Sequence, residues 1–124
     1  MHRHRLLFYC QSLVGAGHLT ASLDVIRSLL QHSDVDLIYG GQDLAIALEH
    51  PGFRYSRLPT IQIDEKTGEL YDPHRFNSID QVWALRTKQI ATFLSLPYDG
   101  MIVEFFPFGR RRLKKEIYTL FDQV

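Results

Sequence analysis

The feature that most limits what this chain can become is the run Leu6, Leu7, Phe8, Tyr9, Cys10, followed by Gly15 and Gly17 and then by an amphipathic stretch. A continuous apolar run of this length reads as a strand buried on both faces, the pattern of a parallel sheet covered by helices. Leu19, Leu23, Ile26, Leu29 and Leu30 then recur at spacings of three, four and seven, which is one face of a helix. Strand, glycine loop, helix is therefore the expected opening.

The same alternation continues. Val35 to Tyr39 reads as a second strand closed by Gly40 and Gly41. Asp43 is placed to cap a short helix carrying Leu44, Ile46, Ala47 and Leu48 before the break at Pro51 and Gly52. Phe53, Tyr55 and Leu58 alternate as a third strand. Pro59 to Asn77 turns polar and reads as a long mobile loop contributing no core, with Thr67 and Gly68 marking a hairpin inside it. Ser78 is an N-cap candidate with Asp80 in the first turn, and Ile79, Val82, Trp83, Arg86, Ile90, Phe93 and Leu94 continue a helix to a stop at Pro97. Met101 to Phe106 reads as a further buried strand. A last helix runs from about Gly109 through Leu113, Ile117, Leu120 and Phe121. The prediction is one α/β domain over residues 1–124, a Rossmann-like three-layer sandwich with a mainly parallel sheet of strand order 3-2-1-4.

Composition narrows function by exclusion. Fourteen basic residues balance 14 acidic ones, which argues against a surface wholly given over to nucleic acid or acidic membrane. Cys10 is the single cysteine, so no internal disulfide forms, and a reducing cytoplasmic setting fits. The apolar stretch after Met1 to Arg5 ends within about six residues, too short for a signal peptide or a transmembrane segment. His2, His4, His32, His50 and His74 show no metal-ligand spacing, and no P-loop lysine is present, so neither metal nor cofactor is expected.

Three constellations carry possible chemistry. At Gly15, Ala16, Gly17, His18 the glycines let backbone approach a ligand, and the helix that follows offers free N–H groups. Thr20 stands where a dinucleotide fingerprint needs a third small residue, and Gly40 and Gly41 stand where it needs an acid, so the spacing argues against NAD. His18 is either a histidine that hydrogen-bonds the loop or a base for a hydroxyl proton at neutral pH. Glu104, among Val103, Phe105, Phe106, Pro107 and Phe108, is a carboxylate that needs a partner. That partner is Arg110, Arg111 or a neighbouring backbone group, or else strand order 3-2-1-4 opens Glu104 and His18 into one crevice, where the carboxylate orients the imidazole. The third is Arg110, Arg111, Arg112, Lys114 and Lys115. Cations at a helix N-terminus oppose its dipole, so this run is either a solvated basic face or a contact to phosphate or an acidic partner, with Arg110 nearest the crevice. Trp83 and its helical companions read as packing.

These residues also carry a family resemblance. LLFYCQSLVGAGH, from Leu6 to His18, resembles the opening of the bacterial predicted glycosyltransferases of the GT-B fold, relatives of the N-acetylglucosaminyltransferase that makes lipid II. EFFPFGRRR, from Glu104 to Arg112, is similar to a signature of the same group. The resemblance covers the family's N-terminal, acceptor-side half. It implies a cleft-facing loop at Gly15 to His18, with His18 as the base that deprotonates the acceptor hydroxyl and Glu104 as orienting carboxylate. Gly15, Gly17 and Arg110 fall to substrate binding. It further implies a nucleotide-sugar donor bound mostly by a C-terminal domain absent from this sequence, or by a separate subunit. The alternative is a non-catalytic Rossmann-like binding or interaction module. A chain that docks a second domain is expected to expose an apolar patch near the sheet's C-terminal edge.

Overall fold

A computed structural model of the chain describes residues 3–11, 17–41, 45–64, 66–104 and 111–123, without the side chains of His18, Arg111, Arg112 and Gln123. Strand β1 spans His4–Gln11, β2 Ser33–Gly40, β3 Phe53–Arg57 and β6 Gly100–Val103, and these form a parallel sheet ordered β3-β2-β1-β6. A short antiparallel pair, β4 (Gln62–Ile63) and β5 (Leu70–Tyr71), stands apart from it. Helices α1 (Gly17–Leu29), α2 (Ile79–Phe93) and α3 (Arg111–Gln123) complete the described elements. The predicted α/β sandwich and strand order are the observed ones.

The pleat of β1 divides the core in two. Phe8 and Cys10 join Val35, Leu37 and Tyr39 of β2 against Leu19, Leu23, Ile26 and Leu30 of the α1 segment. Leu7 and Tyr9 join Ile38 on the opposite face against Ile90 of α2 and Ile117 and Leu120 of α3. Leu7 to Cys10 are wholly buried, which is why the run has no polar member. The register aligns Leu7 with Asp36, Tyr9 with Ile38 and Gln11 with Gly40, so the C-terminal ends of β1 and β2 finish level. Strand β6 joins β1 with Leu6 opposite Gly100 and Tyr9 opposite Val103. Asp99 fastens its entry, accepting from the Arg5 N–H through Oδ2 (2.8 Å) and donating its own N–H to the Arg5 carbonyl (2.8 Å).

Helix α2 begins as expected. The Ser78 hydroxyl accepts from the Gln81 N–H (3.2 Å), and Gln81 Oε1 accepts from the Ser78 N–H (2.8 Å), a reciprocal capping box.

Four expectations are corrected. Residues 45–50 form no helix; Asp43 and Leu44 lie outside the described residues. The Pro51 break leaves too short a segment to repay helix nucleation, and Ile46 and Leu48 instead pack against the α1 side of the core without regular structure. The polar stretch from Pro59 to Asn77 does contribute core: Ile61 is wholly buried. Its hairpin turns at Gly68 (φ 73°), and the Asp64 carboxylate gathers the N–H groups of Lys66 and Thr67. Helix α2 stops at Phe93, short of Pro97: its C-cap Leu94 has already left the helical region (φ −58°, ψ 134°). Strand β6 ends at Val103 and is half-buried as an edge strand, while Phe105 and Phe106 lie outside the described residues.

Candidate functional site

In a parallel sheet the strands end together, and the crevice beyond their C-terminal ends is where such folds bind ligands. Among the described residues that edge includes Gln11, Gly40 and Gly41, Arg57 and Glu104. The Glu104 N–H donates to the Tyr9 carbonyl (3.0 Å), extending the β1–β6 ladder by one residue. The register that pairs Tyr9 with Val103 sets Glu104 beside Cys10, on the α1 side of the sheet. Burial first, with a smaller contribution from the nearby Glu104 carboxylate, pushes the Cys10 thiol up to about 11, against the opposing effect of the Ser22 hydroxyl. Glu104 is itself half-buried.

Gly17 is the first residue of α1, exposed, and nothing among the described residues lies within 4 Å of where a Cβ would stand. His18 is the second residue of the helix; its side chain, like Gly15 and Arg110 entirely, lies outside the described residues. The strand order therefore brings Glu104 to the β1 edge, on the sheet face that α1 covers.

Sequence reasoning missed the buried centre behind this edge. Arg86 of α2 is wholly buried. Its Nη2 and Nε donate to Glu116 Oε1 (2.7 Å) and Oε2 (3.1 Å), a bidentate pair with a glutamate on α3. Nη2 also donates to Gln11 Oε1 (2.7 Å) and the Tyr9 hydroxyl (3.4 Å), and Nη1 to the Pro59 carbonyl (3.0 Å). The Tyr9 hydroxyl in turn donates to Glu116 Oε1 (2.7 Å). Burial first, and the Glu116 charge second, drive the Tyr9 phenol well above its usual range. Burial also works against the Arg86 charge, but Glu116 and Tyr9 outweigh it and the guanidinium is held more firmly protonated than usual. Gly40 is required here. A Cβ would stand 2.1 Å from Gln11 Oε1 and 3.0 Å from both terminal nitrogens of Arg86. The available signal was a charge in the middle of the apolar series Ile79, Val82, Trp83, Arg86, Ile90.

A second buried carboxylate, Asp36, braces the opposite half of the sheet. Arg54 holds it through Nε (3.1 Å) and Nη2 (2.5 Å), and the Tyr98 hydroxyl donates to it (2.6 Å). Burial, then that bond to Asp36, push the Tyr98 phenol up to about 12. This cluster ties β2, β3 and the approach to β6 together.

Two concavities flank the sheet. A groove of about 520 Å³ runs between α2 and α3 over Trp83, Ile90 and Leu120. A more polar pocket of about 390 Å³ opens at the C-terminal ends of β2 and β3, bordered by Arg57, Thr60 and the turn Asp72 to Asn77. Among the large hydrophobic side chains that are exposed, spread over α1, β3, α2, α3 and loops, Phe76 borders this pocket. Among the described residues no group of three or more His, Cys, Asp and Glu side chains is arranged to hold a metal, and no helix is long and apolar enough to cross a membrane. No protein-family model matches the chain, and neither a curated protein nor a solved structure matches it.

Proposed function

We propose that this chain is the acceptor-side domain of an inverting glycosyltransferase of GT-B type, with His18 as general base and Glu104 as the carboxylate that orients it. The observation that carries this reading is the position of Glu104. It follows a parallel strand next to β1, lies beside Cys10, and so stands on the sheet face covered by the helix whose second residue is His18. An imidazole held by a carboxylate can take a proton from a hydroxyl at neutral pH, leaving oxygen as the nucleophile. The motifs from Leu6 to His18 and from Glu104 to Arg112 supply the family likeness.

In the proposed reaction the acceptor oxygen attacks the anomeric carbon of a nucleotide sugar, the bond to the diphosphate breaks, and the hydroxyl proton passes to His18. Most of the donor is bound by a second Rossmann-like domain, on the same polypeptide or on a separate subunit, and Arg110 lies near phosphate or acceptor. The test is release of nucleoside diphosphate from a panel of nucleotide sugars by the protein purified from its own cells with whatever accompanies it. Acceptor-dependent release is expected. A preparation that binds donors and acceptors yet transfers nothing would favour a binding module instead.

A further inference from the structure

The two edges of the main sheet are finished differently. Strand β3, at one edge, carries Arg54 and Arg57, charges of the kind that keep a sheet edge from pairing with another chain. Strand β6, at the other, reads Gly100, Met101, Ile102, Val103, without a charge or a proline, and all four residues are half-buried. Ile102 packs on the core cluster of the α1 side, and Met101 and Val103 on the cluster that holds Ile117 and Leu120 of α3. The Glu104 N–H bonds inward to the Tyr9 carbonyl, and backbone groups alternate along a strand, so Met101 and Val103 turn N–H and C=O to the outer side, where no described strand lies. Such an edge is a template for a further strand.

Helix α3 carries a second surface along the same edge. Glu116 reaches Arg86 of α2, while Ile117 and Leu120 pack into the sheet. Lys114, Tyr118 and Asp122 follow one another at four-residue spacing, and Tyr118 stands about 200° round the helix from Glu116, so this row looks away from α2 towards the free side of β6. Tyr118 and its neighbour Phe121 are both exposed, their ring centroids 6.2 Å apart.

The row is self-complementary. A two-fold axis at Tyr118 sets Lys114 beside Asp122 of a second copy and Asp122 beside that copy's Lys114, the reciprocity of an isologous contact. The strands accept the same axis. Placed at Ile102, it pairs Met101 with Val103 of the second copy, and these are the residues whose backbone groups face outward, as an antiparallel hydrogen-bonded pair requires. Helix α3 packs over both β1 and β6, so the two copies of α3 lie two strand spacings apart, roughly 10 Å, which is the distance of packed helices. Sheet twist over two strands crosses them at roughly 45°, close to the angle at which rows of four-residue spacing interdigitate.

We propose that two copies of this chain join through β6, antiparallel about a two-fold axis, so that two four-stranded sheets become one, with α3 packed on α3 through Tyr118 and reciprocal Lys114–Asp122 ion pairs.

Sedimentation equilibrium of the whole chain tests this, and a reversible monomer–dimer equilibrium at micromolar concentration is the expected result. Tyr118→Asp, at an exposed site, sets two like charges on the axis and should leave a monomer whose far-ultraviolet circular dichroism is unchanged. Lys114→Asp and Asp122→Lys should each weaken the dimer by about tenfold. An equal mixture of these two variants should restore it, because opposite charges meet again. Hydrogen exchange reads the strand pairing: the Met101 and Val103 amides should be protected in the dimer and exposed in Tyr118→Asp, whereas the Glu104 amide, bonded to Tyr9, is protected in both. A protein that stays monomeric, or that holds a different chain on this edge, overturns the dimer. So does a dimer that Tyr118→Asp leaves intact or that responds to neither charge reversal.

Discussion

Replacing Arg86 with methionine should be among the most damaging single changes in this protein. The guanidinium is wholly buried, and the Glu116 side chain that pairs with it is only 8% exposed. Methionine fills most of the volume but leaves the Glu116 carboxylate without its cation, and removes the N–H donors that Arg86 gives Gln11 Oε1 and the Pro59 carbonyl. Breaking a buried ion pair from one side costs about 3–5 kcal/mol, against roughly 5–15 kcal/mol for the whole stability of a domain. With a urea slope of about 2 kcal/mol per molar, the midpoint of unfolding should fall by about 2 M. Circular dichroism on a urea gradient reads this directly. The double variant Arg86→Met, Glu116→Leu removes the stranded charge and should recover a good part of the loss, with a coupling energy of about 1–3 kcal/mol. A midpoint shift in Arg86→Met worth less than about 1 kcal/mol, or a double variant no more stable than the single one, would refute the assignment of this pair as the brace between α2, α3 and the sheet.

Gly40→Ala places a methyl group against Gln11 Oε1 and the Arg86 guanidinium, so it should cost about 1–3 kcal/mol in the same denaturation assay even though both residues are small. Ser78→Ala removes half of the capping box and should lower stability by about 1 kcal/mol. Alkaline pH should destabilise the fold. The folded state holds the Cys10 thiol at about 11 against an ordinary 9.0, so the unfolded chain loses this proton first and stability falls as pH rises from 9 towards 11. That group alone accounts for about 2–3 kcal/mol, and Tyr98, raised to about 12, extends the decline. Urea midpoints at pH 7 and pH 10.5 measure it, and Cys10→Ala should flatten the early part of the curve.

The architecture was legible because it is written in periodicity. An unbroken apolar strand, helices marked by spacings of three and four, and glycine or proline breaks between them point to a parallel sheet with helices on both faces, while the order of its strands rests on the usual topology of such folds. What was not legible depended on partners distant in sequence. Gly40 reads as a strand terminator, and its steric reason, Gln11 and Arg86 arriving from two other elements, exists only once they meet. Arg86 sits in an apolar helical series as a misfit whose partner, Glu116, lies 30 residues away on another helix. Ile61 was hidden in a stretch whose average is polar, since one buried side chain does not change a composition. Of the candidate site, Glu104 could be placed at the β1 edge from strand order. Phe76 could not be singled out, because nothing in its neighbours announces an exposed aromatic at a pocket rim.

The central claim is that His18 and Glu104 act together on an acceptor hydroxyl, and the most direct measurement is turnover of the natural protein carrying His18→Ala, Glu104→Gln and both. His18→Ala should lower kcat by about two to four orders of magnitude, the range for loss of a general base. Glu104→Gln should lose less, and the double variant should be no slower than His18→Ala alone, because a carboxylate that works through an imidazole has nothing left to orient once the imidazole is gone. Unchanged turnover in His18→Ala, or losses that simply multiply in the double variant, would contradict it.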